Sequence, residues 1–182
     1  VEDLRDRNPL SRAFIQAAQT IGIPHNPDFN GAQLDGVGWV QVTQHRGRRW
    51  STADAFLRPA LRRANLQVIT GAQCTRVLME NRRAIGVEYL CAGTHQTVAA
   101  TREIILAGGA IGSTQLLLLS GIGAAAQLRE LGIEVVVDLP GVGQNLRDHV
   151  AVAVVVGSQQ PLSMLNANSP LELLKYLLLR RG

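Results

Sequence analysis

The sequence predicts a mixed α/β fold in which a parallel-type sheet is interrupted by an antiparallel β-meander and flanked by loop-rich α+β segments. Three observations carry this. Residues 66–70 and 104–106 are short apolar runs next to glycines, the pattern of buried strands in a parallel sheet. Between them, β-rich stretches at 75–79, 84–90 and 96–100 are separated by polar turns at 80–83 and 92–94, which is the layout of a meander. Outside the middle of the chain, strand-like residues alternate in character and are broken by Pro, Asn and Gly.

Each element has a local cause. Asn8 is placed as an N-cap with Pro9 at the first helical position, and Leu10, Ala13, Phe14, Ala17, Ala18 and Ile21 fall on one helical face before Gly22. Residues 23–31 are loop, and the polar side chains of Asn26, Asp28 and Asn30 suit either a substrate contact or Asx-type turns. Residues 37–45 alternate and predict a strand turned at Arg46-Gly47-Arg48. Ser51 and Asp54 form a capping box for a helix that Pro59 must kink or end.

After the meander and the run at 104–106 comes Ala107-Gly108-Gly109-Ala110-Ile111-Gly112-Ser113. Such small residues let a second backbone or a flat ligand approach, and Gly108, Gly109 and Gly112 permit dihedrals that other residues resist. Ser113 or Gly112 is expected to cap a helix through Leu119 that Gly121 stops. Its four consecutive leucines leave no polar face, which predicts a buried helix. Strand, small-residue turn and helix N-terminus would together accommodate a dinucleotide, although a plain tight βα connection uses the same residues.

Gly121, Gly123 and Ala126 formally satisfy the G-x-G-x-x-A dinucleotide fingerprint. They follow a helix, and no acidic ribose ligand ends a second strand, so they are expected to be a helix-to-helix connection. A short helix at 127–131 is closed by Gly132, and strands are expected at 133–137 and 151–156. Ser169-Pro170-Leu171-Glu172 starts a last helix that runs to about Arg180.

The net charge of +4 rests on 18 basic residues, of which Lys175 is the sole lysine. The arginines are dispersed except at Arg46, Arg48 and Arg49, a cluster that suits phosphate, nucleic acid or a solvated hairpin end. Cys74 and Cys91 give neither metal-ligand spacing nor a disulfide framework, and His25, His45, His95 and His149 are scattered, so no metal site is expected. No apolar run approaches the roughly 18 residues of a membrane span. A reducing, cytoplasmic setting is expected, with peripheral membrane association left open. Val1 opens within a charged run and Arg180-Arg181-Gly182 follows directly on a helix, which suggests a piece of a longer protein. His149 beside Asp148 suits a general base or a structural hydrogen-bond network.

The order from Gly109 to Gly123 resembles the second signature of the glucose-methanol-choline (GMC) flavoprotein oxidoreductases, with Thr114 where that family usually has Pro or Ser. Asn26 to Gly31 is similar to the family's "DxN" loop. Residues 36–57 resemble its crossing from the substrate domain back to the flavin domain, and Pro140 to His149 its "PGVGxNLxDH" motif. The four motifs stand in the family's order along nearly the whole chain. The resemblance implies part of an FAD-binding Rossmann-like domain with a β-meander, at 50–150, and parts of an α+β substrate-binding domain at 1–49 and 151–182.

It further implies FAD as cofactor. Cys74 would be a small buried contact using its backbone at the adenosine end, Ala107 and Gly108 would face the flavin, and Asn145 would contribute from the last motif. The activity implied is oxidation of a primary alcohol, with a histidine taking the hydroxyl proton while hydride passes to flavin N5. No catalytic residue is expected in this chain: the pyrophosphate-binding G-x-G-x-x-G unit would precede Val1 and the catalytic histidine would follow Gly182, in missing parts of the same protein. The partner would be a small alcohol, with no nucleic acid. The alternative is a self-contained nucleotide- or nucleic-acid-binding module using Gly108 to Gly112 or the arginine cluster.

Overall fold

The computed structural model describes residues 1–157 and 169–180. Its contacts form two compact units, Val1–Gln67 with Ala153–Gly182, and Val68–Val152.

In the first unit, helix α1 (Pro9–Thr20) starts where Asn8 Oδ1 accepts from Leu10 N at 2.8 Å. It buries Ile15 and Ala18, while Phe14 and Ile21 of the expected apolar face stay exposed. The loop that follows is held by Asn26, whose amide donates to the carbonyls of Gln33 (2.8 Å) and Asp35 (3.2 Å) while its Oδ1 accepts from Asp28 N (2.9 Å). The strand expected at 37–45 is not continuous. It is reduced to isolated bridges, His25 with Val37 and Glu2 with Val42, before the hairpin of β1 (Gln44–His45) and β2 (Arg48–Arg49) turned by Arg46 and Gly47. Period-two alternation marks a strand only where a partner lies alongside for several residues.

The Ser51–Asp54 box forms, with Ser51 N and Oγ donating to Asp54 Oδ2 at 3.1 and 2.6 Å and Asp54 N donating to Ser51 Oγ at 3.3 Å. Those bonds hold the Asp54 carboxyl below its ordinary pKa, the Ser51 hydroxyl contributing most. The helix widens into a π-turn (Ala53–Leu57) closed by Arg58 N on Ala53 O, then ends as α2 (Arg58–Ala60) around Pro59. Proline has no N–H for the α-helical bond at that point, which is the physical reason for the irregularity.

In the second unit, β3 (Ala72–Glu80), β4 (Arg83–Cys91) and β5 (Thr94–Ala99) form the antiparallel meander, in that spatial order. Its turns are tight, with Asn81-Arg82 and Ala92-Gly93 all at positive φ, the backbone twist that two-residue hairpins require. Glu80 pairs with Arg83 and Cys91 with Thr94, so most of the strands extend beyond the expected limits. Helix α3 (Gly109–Leu119) begins four residues before Ser113 (113 − 109), and Ser113 Oγ instead accepts from Gly108 N at 3.0 Å. Of the three glycines at this turn Gly109 alone has positive φ.

The expectation of a buried α3 fails among the described residues. Leu116, Leu117 and Leu118 are half-buried but Ile111 is 74% exposed: β3 and β6 are the elements packed on α3, and the opposite side borders an open cleft. The glycine pair after α3 is also not a plain connection. Ile122–Gly123 is a short strand, β6, parallel to β7 (Val137–Asp138), with α4 (Ala125–Glu130) between them. Both glycines serve packing: a Cβ on Gly121 would lie 2.3 Å from the Glu134 carbonyl, and one on Gly123 2.5 Å from Leu118 Cδ2. The first amide of α4, Ala125 N, is taken by Asp138 Oδ1 at 3.0 Å, which leaves an acid where a dinucleotide phosphate would sit. Leu128 is fully buried here, a burial that stabilises by about 1.5–3 kcal/mol.

The expected parallel strands at 66–70, 104–106 and 151–156 join no sheet among the described residues, and 133–137 retains strand pairing only at Val137. Parallel strands need partners brought from elsewhere in the chain, and no ladder reaches these runs among the described residues. Helix α5 (Pro170–Leu179) starts with Ser169 Oγ accepting from Glu172 N at 3.3 Å, while the Glu172 carboxylate pairs with Lys175 at 2.5 Å. The expected terminus at 181–182 lies outside the described residues.

Candidate functional site

Two clefts lie on either side of α3, both within the 68–152 unit. The first, about 310 Å³, is lined by Gln73 and Cys74 at the start of β3, by Ala107 and Gly108, and by Ser113 and Leu116 on α3. Three of the expected cofactor residues, Cys74, Ala107 and Gly108, therefore share one cleft, although a full strand pair separates Cys74 from the others in sequence. Cys74 is exposed, not the small buried contact expected, and it stands on β3, an outer strand of its sheet. An outer strand has backbone N–H and C=O groups that no ladder uses. The ladder also shifts register between Cys74 and Arg76, as at a β-bulge.

Space at Gly108 is tight. Its φ is −80°, which any residue adopts, but a Cβ would lie 3.2 Å from Ser113 N and 3.3 Å from Gly112 C. The turn is thus closed tightly on the helix, and a side chain would press on the first turn of α3.

The second cleft, about 790 Å³, contains Ile111, Thr114 and Leu118 of α3 together with Gly143, Asn145 and Arg147. Asn145 is therefore separated from the other three expected residues and stands on the opposite side of the helix. Its φ is 57°, a conformation asparagine tolerates, and its side chain has no hydrogen bond among the described residues. Thr114, the departure from the family pattern, donates from Oγ1 to Ala110 O at 2.7 Å. Its hydroxyl is thereby satisfied inside the helix.

The remaining candidates are not assembled into either cleft. For Asp148 and His149 the one hydrogen bond among the described residues runs from His149 N to Asp148 Oδ1 at 2.7 Å, so neither a ring–carboxylate pair nor a wider network forms. The Asn26 loop is held by local bonds: Asn30 N donates to Asp28 Oδ1 at 2.9 Å, and Gln41 Nε2, from outside the loop, donates to Pro27 O at 2.9 Å. Arg48 and Arg49 are exposed on β2. Cys74 and Cys91 are free thiols, and no group of three metal-ligating side chains gathers among the described residues. No helix there is long and apolar enough to cross a membrane.

Besides Asp54, two more carboxylates away from the clefts are shifted. His45 Nδ1 lies 2.8 Å from Glu2 Oε1, and that bond, with help from Arg46 N, holds Glu2 below its ordinary pKa. The Thr75 hydroxyl, 2.8 Å from Glu88 Oε1, is the main cause of a lowered Glu88, with His95 and Arg76 assisting.

Sequence reasoning missed Ser113, Gln115 and Ser120. Ser113 resembled a helix cap, whereas its position four residues into α3 is the signal of a side chain that reaches back to the preceding turn. Gln115 lines both clefts, which no linear pattern announces.

The family model described as "GMC oxidoreductase" matches residues 1–151. The mitochondrial choline dehydrogenase of Mus musculus is 49% identical over 167 residues, covering 92% of this chain and 28% of that protein. An alcohol dehydrogenase [acceptor] of Pseudomonas putida is 47% identical over 189 residues, covering all of this chain and 34% of its own. Among solved structures, an FAD-dependent oxidoreductase from Chaetomium thermophilum superposes with a TM-score of 0.82 at 28% identity, over 99% of this chain and 33% of the other. The chain thus spans about a third or less of the length of these relatives. A match over most of its residues, together with the fold, carries the assignment: the chain belongs to the GMC oxidoreductase family of FAD-dependent flavoproteins.

Proposed function

We propose that the whole protein oxidises a primary alcohol, and that this chain supplies one wall of its FAD site and part of its substrate domain. The observation that carries the reading is the convergence of Cys74, Ala107 and Gly108 on one cleft beside an outer strand. A cleft of about 310 Å³ lies at the small end of ligand sites and suits one end of a dinucleotide. Unpaired backbone groups on β3 near Cys74 offer donors and acceptors to an adenine edge, and the missing side chain at Gly108 admits a flat group. When bound, FAD would supply the hydride acceptor, at flavin N5.

Residues 50–150 are assigned to the flavin side, and 1–49 with 151–182 to the substrate side. Asn145, whose side chain makes no hydrogen bond among the described residues, would orient a polar group in the second cleft, while a histidine outside this chain would take the hydroxyl proton. The substrate class follows the relatives named for choline and for alcohols. Two free thiols suit a reducing, cytoplasmic setting.

The test uses the whole protein as wild type, Gly108→Val and Cys74→Ala. Flavin absorbance after purification and dye reduction with a panel of primary alcohols are measured. The wild type should carry flavin and turn over, Gly108→Val should lose its flavin, and Cys74→Ala should keep it because the contact is made by backbone. Normal flavin content in the valine variant would remove the cleft as a cofactor wall, and a wild type without flavin would overturn the reading.

A further inference from the structure

We infer that Ser120 is a positioning residue for the cofactor cleft, its hydroxyl locking the C-terminal end of α3 onto β3 and so setting the separation of Cys74 from Gly108. The inference rests on the proposed reading that the adenosine end of FAD occupies that cleft. Ser120 is 3% exposed, one of two buried polar side chains among the described residues. Its Oγ accepts from Val77 N at 2.8 Å and donates to Leu116 O at 2.6 Å. Among the described residues this is the one hydrogen bond joining β3 to α3 and its cap.

Packing contacts tolerate small slides, whereas a hydrogen bond weakens steeply with misalignment. Arg76, Val77 and Leu78 pair in register with Glu88, Val87 and Gly86, while the ladder shifts between Cys74 and Arg76, so β4 holds Val77 firmly and Cys74 is reached from it across an irregular step. The residues that the hydroxyl ties together lead directly to the cleft: Leu116 lines it, and Cys74 stands three positions before Val77 (77 − 74) on the same strand. Without the hydroxyl, Val77 N becomes a buried donor with no acceptor, and strand and helix must part to admit water.

The test titrates the apo form of the whole protein with FAD, ADP and FMN. ADP carries the adenosine end alone and FMN lacks it. Ser120→Ala should weaken FAD and ADP about tenfold, the worth of one lost hydrogen bond, and leave FMN unchanged. Ser120→Thr, which retains the hydroxyl, should restore both. Equal weakening of all three ligands would show a merely structural role and overturn the inference, as would unchanged FAD affinity in Ser120→Ala. If Ser120→Ala does not fold, Ser120→Cys, with a weaker acceptor in the same place, is put through the same titrations. A wild type that binds FAD but shows no binding of ADP would overturn the underlying reading instead.

Discussion

The meander of β3, β4 and β5 finds its ladder partners within residues 72–99, each strand turned onto the next by two left-handed residues. The runs at 66–70, 104–106 and 151–156 contain β-branched and aliphatic residues in the same way, yet pair with nothing among the described residues, and Ile105 is 78% exposed. Composition does not separate the two sets. What separates them is the distance to a partner: a hairpin closes a two-residue loop at little entropic cost, whereas a parallel strand depends on a crossover from elsewhere. The first kind of strand is a property of its own segment and the second of the assembly it joins.

The comparison breaks most decisively in the 182-residue chain expressed alone. It should retain no FAD, reduce no dye with any alcohol tested, and bind a hydrophobic dye strongly, since Ile111 and the valines at 150–156 are exposed. Amide exchange should be fast at 66–70, 104–106 and 151–156 and slow in β4, and the fast segments should become protected in the whole protein. Equal protection of both sets in the isolated chain, or micromolar FAD binding with turnover, would remove the distinction.

A smaller effect sharpens it. Leu128→Ala, which empties a fully buried site between β6 and α4, should cost about 2–5 kcal/mol in thermal or denaturant unfolding of the isolated chain. Val154→Ala, at a position 86% exposed, should change stability by less than about 0.5 kcal/mol. In the whole protein the second value should rise if residues 151–156 acquire a partner there.

The smallest effect is a pH dependence confined to the meander. The pKa of Glu88 is lowered in the fold, chiefly by the Thr75 hydroxyl. A lowered carboxyl contributes stability that is fully present above its ordinary value and lost as the pH falls through the folded one. Melting temperature should therefore drop below the ordinary glutamate range, and Thr75→Val should flatten the drop. Scans from about pH 6 to about pH 3 would show it. An identical slope in the variant would assign the acid sensitivity to other carboxylates.

Much of the fold was legible because its causes are local. Asn8, Ser51 with Asp54, and Ser169 each satisfy amides within a turn of themselves, and all three caps form where the residue types put them. The meander was legible for the same reason. The errors share an opposite cause. Residues 37–45 have the alternation of a strand but meet two bridges and a two-residue strand, and α3 has the leucines of a buried helix but borders an open cleft. Burial and pairing are properties of what packs against a segment, and a segment's own residues state only what it could accept.

The site divides along the same line. Residue types alone determined that the turn at Ala107-Gly108 has room for a close approach, because absent side chains are written in the sequence. They also determined that Gly121 ends α3, since few other residues adopt its φ of 77°. Only the tertiary structure decided that Cys74 shares a cleft with Gly108, that Asn145 faces a different one, and that Ser120 bonds a strand amide 43 residues away. These meetings depend on how α3 settles against the outer edge of β3, a packing of two surfaces whose relative position neither surface's residues encode by themselves.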